Sequence, residues 1–267
     1  MVGIYANTDK PNAVSIANEL RRTLSDRGVA NIFLERGFSQ CPDLIVVVGG
    51  DGTVLEVVQK AAETGVPILA VNAGNVGFLT EFEAEDFDTC VEIICGEDYD
   101  CYDRKMLSCS IVEEEFYAFN EVSIHRMNTE NDVKCTLSVS LKIDGEFVES
   151  FRSDGLIIAT PAGSTAYSLS AGGAILAPDL KALIATPLCA HTLTSKPIVF
   201  SEDSIAEITV SGSVKGGVFC DGKFKTSLSD KDVLTVKTSD LKAKFIKGKR
   251  TFYDTLFKKL TSWGVNR

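Results

Sequence analysis

The most informative stretch of the chain is Leu44-Ile45-Val46-Val47-Val48-Gly49-Gly50-Asp51-Gly52-Thr53. Its five branched apolar residues form a run without alternation, which is typical of a buried strand in a parallel sheet. Three glycines follow within four positions, and apolar residues then recur at helical spacing from Val54 to Ala62. A strand, a glycine loop and a helix in this order present backbone N–H groups and the positive end of a helix to a phosphate group.

Asp51 is unexpected in such a loop, because a carboxylate repels a bare phosphate. Its presence indicates either a bridging Mg²⁺ or a substrate hydroxyl whose proton the carboxylate accepts. The loop lacks both the Gly-Lys-Ser/Thr ending of a P-loop and the G-x-G-x-x-G spacing of a dinucleotide-binding unit. A plain Asp-Gly hairpin turn is the alternative, which the helical period after Thr53 disfavours.

The composition is that of a globular protein. Of the 267 residues, 45% are hydrophobic and 24% are charged, and the formal net charge of −10 argues against a general nucleic-acid binder. The chain has neither a signal-peptide pattern nor an apolar run near the roughly 20 residues that span a bilayer, so we expect a cytoplasmic protein without membrane contact. Its eight cysteines form no C-x-x-C pair, and we expect them to be small buried hydrophobic residues.

The first hundred residues alternate between strand and helix patterns. Strands are predicted at 2–6, 31–34, 44–48 and 65–71, and helices at 13–24, 54–62 and 82–95. This alternation predicts an α/β domain, a parallel sheet covered by helices. Right-handed crossovers would place the first glycine loop and a second one, at 72–80, at the carboxyl edge of the sheet, where ligands bind.

The pattern changes near Tyr102, after which short strand-like segments and hairpin signals such as Asp144-Gly145 dominate. We therefore divide the chain into an α/β domain at 1–101, a β-rich domain at 102–238 and a C-terminal segment at 239–267. Apolar residues at helical spacing between 251 and 263 predict a C-terminal helix, and we expect it to return to the N-terminal domain and pack on the body.

Three further motifs carry polar groups that suit a nucleotide. The second glycine loop contains Asn72, Gly74 and Gly77, although a tight structural turn explains that spacing nearly as well. The pair Asn120-Glu121 can hold a ribose diol and an exocyclic amine, or it is a solvated loop. The segment 152–173 surrounds a short buried strand with an Arg/Asp pair and many small hydroxyl residues. These suit sugar and phosphate oxygens, or close packing at a subunit or domain contact.

Together these motifs resemble those of the NAD kinase family. The resemblance rests on Gly49-Gly50-Asp51-Gly52-Thr53, Asn72-x-Gly74-x-x-Gly77-Phe78-Leu79, Asn120-Glu121, Asp154-Gly155 through Gly173, and the weaker segments 187–193 and Cys220-Asp221-Gly222. It covers nearly the whole chain. It implies phosphorylation of the adenosine ribose 2′-hydroxyl of NAD⁺ to give NADP⁺, with a divalent cation, for which we expect Mg²⁺. ATP is the implied donor, with polyphosphate as an alternative.

The resemblance also implies roles for individual residues. Asp51 would be the general base on that hydroxyl, Asn120 and Glu121 would hold the adenosine, and Asp154 the nicotinamide end. The residues implied for the donor phosphates are Gly49, Gly50, Gly52 and Thr53. Those implied for NAD are Asp51, Gly52, Phe78, Asn120, Glu121, Arg152, Asp154, Ala162, Thr165, Ala166, Tyr167, Ser168, Leu169 and Ser170. Further contacts are expected from Asn72, Lys134, Asp221 and Lys223. No metal site is fixed by the protein alone.

The resemblance further implies that the β-rich domain binds the dinucleotide and builds a homodimer or homotetramer. Two other functions compete with a kinase acting on NAD⁺. A lipid or sugar kinase with a related glycine loop would need a different acceptor site, and the polar groups at Asn120-Glu121 and at 164–170 argue against an apolar channel. An NAD(H)-binding regulator without turnover would gain nothing from the carboxylate of Asp51.

Overall fold

A computed structural model describes residues 1–127, 136–192, 194–212 and 214–265, with 262–265 described by backbone alone. The chain forms two compact units. The first unit contains residues 1–104 and 241–267, and the second unit contains residues 105–240.

The first unit is built on a parallel sheet. Its strands are β1 (Val2–Ala6), β2 (Asn31–Phe33), β3 (Leu44–Gly49), β4 (Ile68–Asn72) and the short β5 (Phe82–Glu83). They are ordered β2-β1-β3-β4-β5, with every neighbouring pair parallel. Strands β3 and β4 pair in register from Ile45 opposite Ile68 to Gly49 opposite Asn72, so both strands end at one edge. The chain turns from each of these ends into a glycine loop.

Helices cover this sheet. They are α1 (Pro11–Asp26), α2 (Asp51–Thr64) and α3 (Phe87–Gly96). Helix α1 buries Ala13, Ala17, Leu20 and Leu24, which recur at helical spacing and join the core that also holds the residues of β1, β3 and β4. The predicted α/β fold of this part of the chain is therefore confirmed.

The prediction of one helix over 82–95 is wrong at its start. Phe82 and Glu83 form β5, which pairs with β4, and a 3₁₀ turn over Ala84–Asp86 precedes α3. Tertiary pairing prevails here over the helical pattern, because Phe82 is buried in the strand that pairs opposite Val71.

The second unit is β-rich. One antiparallel sheet has the order β13-β12-β11-β8-β15-β16. Its strands are β8 (Glu121–Arg126), β11 (Gly155–Ala159), β12 (Ala182–Leu188), β13 (Ile198–Ser201), β15 (Gly216–Cys220) and β16 (Lys223–Leu228). Between β11 and β12 lie a 3₁₀ turn, Gly163–Thr165, and the four-residue helix α4, Tyr167–Ser170. The glycine- and hydroxyl-rich segment therefore returns the chain from the end of β11.

The other strands of the second unit form a further antiparallel set. They are β6 (Cys101–Ile111), β7 (Glu114–Ala118), β9 (Leu137–Ile143), β10 (Glu146–Ser153), β14 (Ala206–Ser211) and β17 (Leu234–Ile246), of which β6 and β17 extend into the first unit. Asp144 and Gly145 have φ of 51° and 79°, so they form the two-residue turn predicted for the β9–β10 hairpin. Apolar residues from both sets fill one core.

The last helix, α5 (Phe252–Val265), belongs to the first unit and packs on it through Phe252, whose ring lies 5.8 Å from that of Phe78. None of the helices described is long and apolar enough to cross a membrane. The cysteines correct the expectation of general burial: Cys90, Cys109 and Cys220 are buried, whereas Cys41, Cys101 and Cys189 are exposed.

Candidate active site

The first glycine loop is very short. Strand β3 ends at Gly49, Gly50 is the extended residue before the helix, and Asp51 is already the first residue of α2. Thr53 turns its hydroxyl back to the N–H of Gly50 at 3.4 Å. The Asp51 carboxylate thus lies at the positive end of α2, where the helix dipole favours a negative charge.

The Asp51 carboxylate joins the two glycine loops. Its Oδ2 accepts a hydrogen bond from the N–H of Phe78 at 2.9 Å, and its Oδ1 accepts one from the N–H of Leu79 at 3.0 Å. A Cβ on Gly77 would lie 2.1 Å from Oδ1, so only glycine permits this approach. The sequence suggested that the carboxylate contacts a bridging Mg²⁺ or a substrate hydroxyl. The structure shows that it also holds the second loop in place.

Asn72 organises the second loop from within. Its side-chain amide accepts from the N–H of Gly74 and donates to the carbonyl of Gly74, both at 3.1 Å. The same amide donates to Glu83 at 2.6 Å, and Arg250 forms an ion pair with the other oxygen of Glu83 at 2.6 Å. A chain of contacts thus runs from the residues before α5 to the loop, and Asn72 is held in one orientation.

Helix α5 also brings a cation to the loops. The Nζ of Lys259 lies 3.9 Å from Asp51 Oδ2 and 4.3 Å from the centroid of the Phe78 ring. Phe252 packs against the same ring. The loops are therefore bounded on this side by aromatic rings and an ammonium group.

A cleft of about 630 Å³ opens beside the first glycine loop. Gly50, Gly52 and Thr53 line it. The rest of its wall comes from the ends of β1 and β2 and from α2, with the residues Tyr5, Ala6, Asn7, Thr8, Asp9, Lys10, Leu34, Glu35, Arg36 and Glu56. Its volume falls in the range of sites for small ligands and cofactors. The wall carries two cations, Lys10 and Arg36, and three carboxylates, Asp9, Glu35 and Glu56. The Tyr5 hydroxyl donates a hydrogen bond to Glu56.

In the second unit, Asp221 fixes the pair Asn120-Glu121. One Asp221 oxygen accepts from the N–H of Phe119 at 2.8 Å, and the other accepts from those of Asn120 and Glu121 at 2.7 and 3.2 Å. Asp221 has a φ of 47°, a left-handed conformation that is tolerated in the turn before Gly222. The turn between β15 and β16 thus anchors the start of β8.

Asn120 and Glu121 each keep one buried polar atom without a partner. Among the described residues, neither Asn120 Oδ1 nor Glu121 Oε2 forms a hydrogen bond, although both side chains are buried. Burial and then the neighbouring Asp221 raise the pKa of Glu121 to about 8. Buried polar atoms are nearly always paired, so these two oxygens are available to accept hydrogen bonds from a ligand. This overturns the alternative that the pair is a solvated loop.

The hydroxyl-rich segment packs on the same pair. Thr160 donates its hydroxyl to the carbonyl of Phe119 at 2.9 Å, and a Cβ on Gly163 would lie 2.0 Å from the carbonyl oxygen of Asn120. Tyr167 stacks on His125 with ring centroids 5.5 Å apart. Burial raises the pKa of Tyr167, and its neighbours Cys189, Glu121 and Asp154 raise it further.

The remaining residues that the sequence indicated as NAD contacts differ in their burial and in their hydrogen-bond partners. Ala162, Thr165, Ala166 and Leu169 are half-buried along this segment, Ser170 is exposed, and Ser168 faces inward to the Thr186 hydroxyl at 2.9 Å. Arg152 is exposed and donates to Thr136 at 2.9 Å, and Lys223 is exposed beside Asp221. Lys134 lies outside the described residues.

Several charged and aromatic residues at these places were not found from the sequence. They are Lys10, Arg36, Glu83, His125, Arg250 and Lys259. His125 stacks on Tyr167 in the second unit, and the fold brings the other five to the glycine loops or to the cleft beside them. Pairing of β1 with β2 and the return of α5 are long-range events that local spacing does not encode.

Both units of the chain match known proteins. Residues 33–99 match the family model of the ATP-NAD kinase N-terminal domain, and residues 119–248 match that of the ATP-NAD kinase C-terminal domain. An NAD kinase from Caldicellulosiruptor bescii is 36% identical over 262 residues, covering 97% of this chain and 98% of the relative. An NAD kinase from Fusobacterium nucleatum is 33% identical over 267 residues, covering 99% of this chain and 98% of that protein.

Two solved structures share the fold. The yeast NADH kinase complexed with NADH has a TM-score of 0.83 and 26% identity, covering 99% of this chain and 87% of that chain. The NAD kinase from Archaeoglobus fulgidus in complex with ATP has a TM-score of 0.76 and 28% identity, covering 98% of each chain. The resemblance seen in the motifs is confirmed over nearly the full length. The chain therefore belongs to the NAD kinase family, a family of phosphotransferase enzymes.

Proposed function

We propose that the chain transfers the γ-phosphoryl group of ATP to the adenosine ribose 2′-hydroxyl of NAD⁺, with Asp51 as the general base. The single observation that carries this proposal is the position of the Asp51 carboxylate at the first residue of α2, in the middle of the glycine loop. A carboxylate at this place has a chemical use when an acceptor hydroxyl must lose a proton next to the donor phosphates.

The contacts of Asp51 support its use as a base. Each carboxylate oxygen accepts one N–H group from the second loop, and a carboxylate oxygen has room for a second donor. The two N–H bonds hold the group in one orientation, so that it meets a hydroxyl without a search through rotamers. Gly52 and Phe78 are its immediate neighbours, and we assign both to the same acceptor.

We assign the donor to the cleft beside the first loop. Gly50, Gly52 and Thr53 line this cleft, and its two cations, Lys10 and Arg36, would pair with phosphate oxygens of an anionic ligand. The N–H groups and the positive dipole at the start of α2 suit phosphate oxygens. Gly49 is needed behind them because a Cβ there would lie 2.3 Å from the Thr53 hydroxyl oxygen.

We assign the adenosine of NAD⁺ to Asn120 and Glu121. Their unpartnered oxygens would accept hydrogen bonds from the ribose diol and the exocyclic amine. Tyr167 and the half-buried residues of 162–169 would line the same dinucleotide, with Asp154 toward the nicotinamide end and Arg152 and Lys223 at the exposed side. Ser168, whose hydroxyl is already paired with Thr186, would act by packing.

A divalent cation fits this donor set as a companion of the nucleotide. The described residues contain no group of three or more His, Cys, Asp or Glu side chains that could hold a metal ion alone. Mg²⁺ is commonly held by one or two carboxylates together with substrate phosphates, and the donor cleft is lined by the carboxylates of Asp9, Glu35 and Glu56. When bound, the cation would neutralise phosphate charge, while Asp51 orients the hydroxyl and accepts its proton.

The direct test is an assay of purified protein with NAD⁺, Mg²⁺ and either ATP or polyphosphate, analysed for NADP⁺. We expect NADP⁺ with ATP; the polyphosphate arm defines the donor range, and an NADH arm defines the acceptor range. Phosphorylation of a lipid or a sugar without NADP⁺ would reject the proposal, as would tight NAD⁺ binding without turnover.

The role of Asn120 has a separate test. Asn120→Ala should raise the KM for NAD⁺ more than the KM for ATP, because the adenosine of NAD⁺ loses an acceptor. An equal rise in both constants would assign Asn120 a structural role. Asn18→Ala, on the exposed face of α1, is the matched control and should change neither constant.

We further propose a cytoplasmic homodimer or homotetramer built through the β-rich unit. Large exposed hydrophobic side chains of that unit, among them Phe147 and Phe224, support a further contact. Light scattering of the purified chain would give the assembly size, and a monomer at micromolar concentration would reject the assembly. Cell fractionation tests the location.

A further inference from the structure

The first glycine loop has no cation of its own. Phosphate-binding loops of the P-loop type end in a lysine that reaches the phosphates, whereas the stretch from Gly49 to Thr53 carries only the negative charge of Asp51. A phosphoryl group in transfer carries charge on its equatorial oxygens, and positive groups around those oxygens lower the barrier. Lys10 and Arg36 line the donor cleft, and a further cation should come from elsewhere in the fold to the phosphoryl group in transfer beside Asp51.

Helix α5 provides one. Lys259 places its Nζ 3.9 Å from Asp51 Oδ2, and only 19% of its side chain is exposed. The separation is longer than a hydrogen bond, so the two groups form an ion pair without a direct hydrogen bond between these atoms. The Phe78 ring, 4.3 Å away, limits solvent on one side of the ammonium, and Phe252 supports that ring.

This setting differs from that of an ordinary surface ion pair. Most other pairs in the described chain have at least one partner whose side chain is about 40% or more exposed, as for Arg27 with Glu92 and Lys242 with Asp103. Lys258, the preceding residue on α5, is exposed and lines a separate pocket with Asp254. The orientation of α5 therefore selects one of two adjacent lysines for the loop.

We propose that Lys259 is a catalytic residue, whose ammonium contacts an oxygen of the transferred phosphoryl group. This inference rests on the proposed function. The bond between the γ-phosphorus and the oxygen that leaves with ADP breaks, and a bond from that phosphorus to the ribose 2′-oxygen forms. The hydroxyl proton goes to Asp51. Lys259 stays protonated throughout, and its attraction grows as charge builds up on the phosphoryl oxygens.

The test compares Lys259→Met, Lys259→Arg and the neighbour control Lys258→Met at saturating ATP and NAD⁺. We expect Lys259→Met to lower kcat on the order of 100-fold, the usual loss when one charge-stabilising donor is removed. The Kd for NAD⁺ should stay within about twofold, since the charge acts on the phosphoryl group. Lys259→Arg should recover a large part of kcat, and Lys258→Met should match the wild type.

A second measurement separates catalysis from anchoring of α5. In Lys259→Ala, added ethylammonium should restore kcat in a saturable way, which an anchoring role does not produce. Lys259→Met with kcat within threefold of the wild type would overturn the inference. So would equal losses in the Met and Arg variants together with a lowered Tm and no rescue by the amine.

The same experiments distinguish a failure of the proposed function from a failure of the inference about Lys259. If the wild type phosphorylates another acceptor instead of NAD⁺, the same variants measured with that acceptor still decide the role of Lys259. A wild type that transfers no phosphoryl group to any acceptor would overturn both.

Discussion

Asp51 and Phe78 lie 27 residues apart in the chain, yet the carboxylate of the first accepts a hydrogen bond from the backbone N–H of the second at 2.9 Å. Asp51 is thus both the candidate base and the residue that holds the second glycine loop. The two loops, which the sequence presents as separate motifs, form one structure at the carboxyl edge of the sheet.

Gly77→Ala should lower kcat by about 10- to 100-fold. The added Cβ would lie 2.1 Å from Asp51 Oδ1, so the carboxylate or the loop must shift, and displacements near 1 Å commonly cost this much in rate. Steady-state kinetics would measure the change. Gly96→Ala, at the end of α3 with no atom within 4 Å of the new Cβ, is the control and should keep the wild-type kcat. Equal kcat values for the Gly77 variant and the wild type would show that the position of the Asp51 carboxylate does not limit the rate.

NAD⁺ should bind more tightly as the pH rises from 6 to 9. Burial and Asp221 raise the pKa of Glu121 to about 8, so this carboxyl group is mostly protonated in the free protein at pH 6. The ionised form is the stronger acceptor for ribose hydroxyls, and binding should then release a proton. Calorimetry in two buffers with different heats of ionisation would measure both the Kd and the proton release.

Glu121→Gln is the control for this pH dependence and should flatten it. The folded pKa lies above the ordinary 4.5, so the contribution of Glu121 to stability is fully present below about pH 4.5 and is lost as the pH rises through about 8. Urea unfolding of the wild type should therefore show a decline over this range that the variant lacks. Tighter NAD⁺ binding at low pH would contradict the claim that ionised Glu121 accepts hydrogen bonds from the ribose hydroxyls.

Asp221→Ala should destabilise the protein by about 3 kcal/mol. The variant leaves the N–H groups of Phe119, Asn120 and Glu121 without their acceptor, and each such loss costs about 1 kcal/mol or more. Asp221→Asn keeps one oxygen and tolerates the left-handed backbone, so it should fall between the Ala variant and the wild type. Denaturant unfolding gives the order, with the exposed Asp230→Ala as control. An unchanged free energy of unfolding in both Asp221 variants would contradict this prediction and would mean that water replaces the carboxylate.

The sequence was sufficient for the elements with a strong local signal. The apolar run of β3, the apolar face of α1 and the turn at Asp144-Gly145 all carry their pattern within a few residues, and each is found where it was predicted. The family resemblance supplied the function. The spacing of the motifs alone left three functions open: a kinase acting on NAD⁺, a lipid or sugar kinase, and an NAD(H)-binding protein without turnover.

The parts that could not be predicted depend on long-range contacts. Strand β5 exists because Phe82 is buried beside β4, and nothing in the local period distinguishes it from the start of α3. Lys259 reaches Asp51 across 208 positions of sequence only because α5 returns to the first unit. Asp221, which accepts hydrogen bonds from the N–H groups of Asn120 and Glu121, likewise lies about 100 residues from them in the sequence.

The most direct test of the central claim is the rate of NADP⁺ formation by the wild type and by Asp51→Asn, with ATP, Mg²⁺ and NAD⁺ saturating. Asparagine has the same shape and keeps one acceptor oxygen, but it cannot take a proton. The account predicts a loss of kcat on the order of 10²- to 10⁴-fold, a Kd for NAD⁺ within about threefold of the wild type, and no change for the exposed Asp43→Asn. A variant that keeps more than a tenth of the wild-type kcat, or that loses NAD⁺ binding in parallel with turnover, would contradict it.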